Sequence, residues 1–426
     1  MSRGLGDVYK RQDYLSFFQA SPFQYLTGFR EPDAALVMVR RGGATSGTLY
    51  VQPRDPAREV WTGKRAGPEG ASAATGLPAQ PLASLAQTLD SATKLGLPVA
   101  VIGEVDGGTI LSADDQRVAA LRAANPTLKL VNATPLVGGL RGRKTDTEVG
   151  LIRKAVDVTV GAHQEAMKLV APGRNEYEVQ ALIEYTFRRN GADRPSFASI
   201  VGSGPNSTVL HYNANDRRME PGDVVVIDIG ASWAGYAADV TRTLPVSGRF
   251  TREQRAIYDV VRGAQRAAER AATVGTQWQS VSTAARDTIA AGLARLGLID
   301  STTATYDCGA NGARQCPQVS LYYMHGLGHG IGLDVHDPDQ AIPLGVLHEG
   351  SAFTIEPGVY VRAQLVDILP KTPANAALGQ RIAAAVKRYA NVGVRIEDDY
   401  VVTATGVEWI SRAPREAEEV EAAMRR

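Results

Sequence analysis

A chain of 426 residues, 44% of them apolar, is long enough for two domains that each bury a core. Its net charge of +1 is spread without a long basic run, which gives no pull toward nucleic acid or an acidic membrane and leaves a small molecule or peptide as the expected substrate. No apolar stretch is long enough to cross a bilayer, and no leader pattern of charged, apolar and small residues opens the sequence.

The first twelve residues, MSRGLGDVYKRQ, show no apolar periodicity and read as a foreign segment, so the native start is expected to be missing. The cytoplasm is the expected compartment; an export signal lost with that start would move the protein to the periplasm or outside the cell. From about Asp13 to Gly139, short β-like runs (Ala35 to Val39, Thr48 to Val51, Val99 to Ile102, Leu128 to Val131) alternate with helix-like stretches such as Ala113 to Ala124. This reads as an N-terminal α/β domain over 13–142. A loop at Gly138 to Gly142 leads into a second domain, 143–426, that mixes helices and strands, so the fold class is α/β (α+β overall). Thr145 and Glu148 form a capping-box pattern, followed by apolar residues at helical spacing up to Met167; a second helix starts at Asn175 and ends near Gly191.

Strand-like runs follow at Asp223 to Ile229 and Tyr236 to Val246, and a turn about Trp233-Ala234 between them gives a hairpin. Helices are expected near Glu253 to Ala272 and Ser280 to Leu296, then strands at Phe353 to Ile355 and Val394 to Val402. Cys308 and Cys316 are too few for a disulfide scaffold; free thiols in a reducing cytosol are preferred over a local bridge.

In that hairpin Asp228 and Asp239 stand directly opposite each other on one face. Cross-strand Cβ atoms lie about 4.5–5.5 Å apart, close enough for two carboxylates to share cations about 3.5–4 Å apart. Three of the chain's six histidines, His325, His329 and His336, crowd into one glycine-rich segment, and His211 stands in another turn-like one, LHYN. The glycines exclude a regular helix and suggest backbone held close to a ligand. A nucleotide site is disfavoured because no βαβ unit with a ribose-binding acid surrounds them. With period two, Arg395, Glu397 and Asp399 share a strand face on which charges need partners, and Glu356 ends a strand.

In chain order, DIGA, DVTRT, HGLGH, TIEPG and RIEDD resemble the five-ligand signature of the pita-bread metallopeptidases. The resemblance covers nearly all of Lys144 to Ala423. The N-terminal motifs YLTGFREPDA and EVWTGKRAGPE look like aminopeptidase P, which implies substrates longer than a dipeptide; simple methionine aminopeptidases lack that domain. Against the family, the N-terminal domain is expected to lack an opening helix and strand, and Thr302 to Leu321 and Arg362 to Ala390 differ from the family core.

The resemblance implies a pita-bread catalytic domain and two divalent metal ions, with Asp228 on one, Asp239 and Glu397 bridging, and His329 and Glu356 on the other. Four carboxylates and an imidazole are a hard set that favours Mn2+ over a thiolate-loving metal, with Co2+ or Zn2+ as alternatives. It further implies a metal-bridging water as nucleophile, Glu356 as proton shuttle, His211, His325 and His336 as substrate binders that stabilise the tetrahedral intermediate, and Arg395 orienting Asp228. His163 and His348 are left as packing or surface histidines. The implied activity is release of an N-terminal residue from in front of proline, with prolidase the nearest rival and a non-catalytic binding module a more distant one. The expected partners are peptides with proline second, and further copies of the chain as a dimer or tetramer.

Overall fold

The structure is a computed structural model that describes residues 17–94, 98–102, 113–338 and 345–425; the twelve residues read as foreign lie outside them. One compact unit ends at Leu140 and the other begins at Arg141. In the first, strand Ala35–Arg41 pairs antiparallel with Ala44–Val51, and Ala79–Pro81 joins the latter in parallel. A second parallel pair, Val99–Val101 with Leu130–Asn132, lies between helices Leu85–Thr93, Ala113–Ala124 and Thr134–Arg141. This is the expected alternation. The loop expected at Gly138 to Gly142 is instead mostly helix: Asn132 Oδ1 accepts the Thr134 N–H, Pro135 fits the first turn, and buried Val137 supplies packing that outweighs two helical glycines.

The second unit is built from two helix pairs, each covering one group of strands. Thr145, Asn175 and Thr251 cap helices Asp146–Leu169, Glu176–Arg189 and Arg252–Ala271, each through a reciprocal capping box with the residue three places on. The first two helices bury Ala162, Met167, Val179, Ile183 and Phe187 against Val225, Ile227 and Ile229. Arg252–Ala271 and Trp278–Arg295 bury Ile257, Val261, Ile289 and Leu293 in a second core with Phe353, Ile355, Val359, Val394 and Ile396. Strand Val224–Ile229 lies between Ile200–Ser203 and Val240–Pro245, and Ala352–Ile355 pairs with Asp398–Thr403. No helix among the described residues is long and apolar enough to cross a membrane.

Two expected strands are broken. The run from Tyr236 splits into Tyr236–Ala237 and Val240–Pro245, and the run from Val394 splits into Val392–Arg395 and Asp398–Thr403. Both breaks fall on acids of the candidate site. The hairpin register also differs from the expected one: Ala234 and Gly235, both at positive φ, form the turn, so Asp228 faces Thr241 and not Asp239. The shift is two residues, which keeps both acids on one face as diagonal neighbours.

Cys308 and Cys316 are not free. Strands Thr305–Cys308 and Arg314–Pro317 form a hairpin that brings their Cα atoms to 5.8 Å, and the sulfurs are bonded. The local bridge that the sequence reading ranked second is the one present, carried by a short hairpin.

Candidate metal centre

The glycine-rich histidine segment runs alongside strand Ala352–Ile355: Thr354 N donates to His329 O, Glu356 N to Leu327 O and Ile331 N to Ala352 O. A Cβ on Gly328 would lie 2.1 Å from Thr354 O. Gly328 therefore lets this backbone lie close against the strand. This pairing sets His329 beside Glu356.

His329 Nδ1 lies 3.1 Å from Gly330 O, an acceptor only, so Nδ1 carries a proton, and in the neutral ring that metal ligation requires Nε2 presents a lone pair. That lone pair faces Asp239 Oδ2 at 3.5 Å, Glu356 Oε1 at 3.7 Å and Glu397 Oε1 at 3.9 Å. Four electron-rich atoms turned on one another are unfavourable unless a cation lies among them. Among the described residues Asp239, His329 and Glu397 form the one group able to hold a metal ion. Buried oxygens Asp228 Oδ1, Asp239 Oδ1 and Glu397 Oε1 have no hydrogen-bond partner. The acids also resist ionisation. Burial, then Glu397 and Asp228, push Asp239 well above the usual carboxylate range; burial and Glu397 push Glu356 up to about 8; burial and Asp228 push Glu397 up to about 8. Orphaned oxygens, mutual repulsion and an oxygen-rich donor set all fit a hard divalent cation.

The remaining expected residues surround this cluster. Arg395 Nη2 donates to Asp228 Oδ2 at 2.6 Å, and its Nε to Thr241 Oγ1, which in turn donates to Glu397 Oε2 at 2.7 Å. His325 Nδ1 donates to Gly326 O, so Nε2 accepts from the Tyr360 hydroxyl at 2.8 Å. Burial and the Arg395 charge hold His325 down to about 4, so it is neutral at physiological pH, with both nitrogens engaged. The His336 ring lies on the His329 ring, centroids 4.0 Å apart. His211 is exposed at the rim, next to Leu210, whose carbonyl accepts from Arg395. His163 is buried, bonded to Val240 O, and His348 is exposed.

Sequence reasoning missed Thr241 and Tyr360 as members of the site, and named Asp399 only as a charge on the face of Arg395 and Glu397. Thr241 links Arg395 to Glu397, Tyr360 links Arg395 to His325, and Asp399 Oδ2 accepts the Asp239 N–H. Period two in DVTRT puts Thr241 on the face of Asp239, so that signal was present; nothing in the sequence ties Tyr360 to His325.

The fold and the cage of acids around one imidazole define a metal-dependent peptidase, and residues 150–404 match the model of metallopeptidase family M24, the family to which the chain belongs. Residues 7–97 match the aminopeptidase P N-terminal domain, a match that begins inside the segment read as foreign. The chain is 32% identical over 419 residues to the Xaa-Pro aminopeptidase of Escherichia coli, covering 95% of this chain and 88% of that one. It is 34% identical over 303 residues to the human Xaa-Pro dipeptidase, covering 66% and 59%. Aminopeptidase PepP of Pseudomonas aeruginosa superposes with a TM-score of 0.78 at 33% identity, over 96% of this chain and 89% of that structure.

Proposed function

We propose that this metallopeptidase releases the N-terminal residue from peptides with proline second, Xaa-Pro-Yaa, using two divalent cations of which manganese is the expected pair. The observation that carries the reading is the His329 Nε2 lone pair facing three carboxylates. Asp228, Asp239, His329, Glu356 and Glu397 would hold the cations, which when bound supply Lewis acidity and a water of lowered pKa. Glu356, whose pKa lies near 8 before cations reduce the repulsion, takes a proton from the attacking water and passes it to the leaving proline nitrogen. Arg395 fixes the Asp228 carboxylate and Thr241 the Glu397 carboxylate. Because both His325 nitrogens are engaged, that residue serves as a fixed wall, while His336 and the exposed His211 bind the substrate and the tetrahedral oxygen. Proline lacks an N–H and has a fixed φ, so a site shaped for it needs no acceptor there and rejects other residues sterically.

The aminopeptidase reading is supported by relatives that match along nearly the whole chain, including the N-terminal unit. The dipeptidase relative, matched over 303 residues, supports the second reading, cleavage of Xaa-Pro dipeptides only. Mass spectrometry of digests by manganese-loaded protein separates them. Release of the first residue from Xaa-Pro-Yaa, with little action on Xaa-Ala-Yaa, is expected; cleavage confined to dipeptides favours the second reading, and no cleavage of either favours a binding module.

A further inference from the structure

We infer that Arg242, acting with Asp398, is a positioning residue that sets where the Glu397 carboxylate stands. The inference rests on the reading of Glu397 as a cation ligand. Backbone at 396–397 leaves the strand ladder: Ile396 N reaches back to Pro357 O, while Glu397 N crosses to Thr241 O at 3.1 Å. That crossing turns Glu397 out of register and into the acid cluster.

Arg242 lies immediately behind the crossing and is fully buried. Its Nη1 donates to Glu397 O at 2.7 Å and Thr241 O at 2.9 Å; Nη2 donates to Asp398 Oδ1 at 2.7 Å and Ala413 O at 3.0 Å; Nε donates to Pro414 O at 2.8 Å. The five N–H donors of a guanidinium are thus all engaged by protein acceptors, which leaves none for substrate. Asp398 is saturated in turn, by Arg242 and Ser411 Oγ on Oδ1 and by Arg415 and Gln265 on Oδ2. The planar fork grips both residues flanking the peptide link from Glu397 to Asp398, one by its carbonyl and one by its side chain. A lysine cannot reproduce that grip, because its ammonium is a point charge on a flexible stem.

A purely structural ion pair would support the fold and leave the cation site unmoved. The test is therefore Mn2+ affinity of the full chain, measured by competition with a chelator, for wild type, Arg242→Lys and Asp398→Asn. Each variant is expected to lose about 10- to 100-fold in affinity, the usual effect of removing a group that orients a ligand. Leu293→Ala, a cavity in helix Trp278–Arg295, is expected to lower stability and keep wild-type affinity. If Arg242→Lys does not fold, the near-isosteric Asp398→Asn decides. Wild type that binds Mn2+ with folded variants that bind it equally well, or no worse than Leu293→Ala, overturns the inference alone. Wild type that takes up no Mn2+ overturns Glu397 as a ligand, and this inference with it.

Discussion

Asp398 and Glu397 are chain neighbours, both buried, yet their carboxylates live in opposite electrostatic worlds. Asp398 shares the interior with Arg242 and Arg415; burial works against its charge, but the two guanidiniums outweigh it and hold the carboxyl below its ordinary value. Glu397 shares its side with Asp228, Asp239 and Glu356, and although Arg395 opposes the effect, burial and Asp228 push it up to about 8. The first cluster is complete as folded. The second has one arginine among several acids and orphaned oxygens, which is stable only as a receptor for something cationic. The difference between a buried acid that is satisfied as folded and one that awaits a cation is thus legible in the partners and not in burial itself.

The largest effect should come from taking the cations away. Chelation is expected to abolish peptidase activity and lower the melting temperature, with Mn2+ restoring both; at ~1,000 times Kd, bound ligand contributes about 4 kcal/mol. Asp239→Ala and Glu397→Ala should lose cation and activity together by elemental analysis. His211→Ala should keep its cations and lose rate, on the order of 10²-fold if it binds the tetrahedral oxygen. Equal cation loss in all three would place His211 among the ligands.

The Asp398 side of the comparison predicts a stability effect without a vacancy. Asp398→Ala leaves Arg242 and Arg415 buried without their shared carboxylate and should cost about 3–5 kcal/mol by urea unfolding in chelator, and more with Mn2+ present because the variant also binds the cation more weakly. A cost that disappeared in chelator would mean the two clusters are one.

Much of this was readable in the chain. The five motifs, the capping box at Thr145, the helix start at Asn175 and helix Ala113–Ala124 follow from local patterns, because caps and 3.6-residue periodicity act within a few residues. What local pattern could not supply was departure from it. The continuous strand expected over Val394 to Val402 ignores the crossing at 396–397, which Arg242 and residues 411–415 impose from elsewhere in the sequence. The hairpin register depended on whether Ala234 would accept positive φ, which non-glycine residues rarely do. The Cys308–Cys316 bridge needed a hairpin that the composition of 302–321 does not announce.

pH should pull the two clusters in opposite directions in cation-free protein. For Glu356 and Glu397 the folded pKa lies above the ordinary 4.5, so the folded state binds more protons between about pH 4.5 and 8 and their contribution to stability falls as pH rises through that window. For Asp398 the folded pKa lies below 3.8, so its contribution holds above that value and is lost on acidification. Melting temperature in chelator should therefore decline from pH 5 to 8, and added Mn2+ should flatten the slope while releasing protons to the buffer. A cation-free protein that gains stability across that range would refute the repulsion.

The smallest effect is the sharpest, because it has the opposite sign from most substitutions. Asp239→Asn keeps the side chain's shape and removes a carboxyl that burial, Glu397 and Asp228 hold well above its usual range. In chelator near pH 7.5 folding works against the Asp239 charge, by burial and by the neighbouring acids Glu397 and Asp228, and the asparagine variant carries no charge to oppose. The variant should be more stable by about 1 kcal/mol, the stability commonly recovered when a functional site is relieved of strain. The gain should shrink toward about pH 3, below the ordinary 3.8, where the wild-type carboxyl is largely protonated unfolded as well. With Mn2+ present the order should reverse, since the variant has lost a ligand. Urea unfolding at the two pH values, with and without Mn2+, reads all four states. A variant less stable than wild type in chelator at pH 7.5 would mean that Asp239 is held by favourable contacts the repulsion does not outweigh, and would move it from the second cluster to the first.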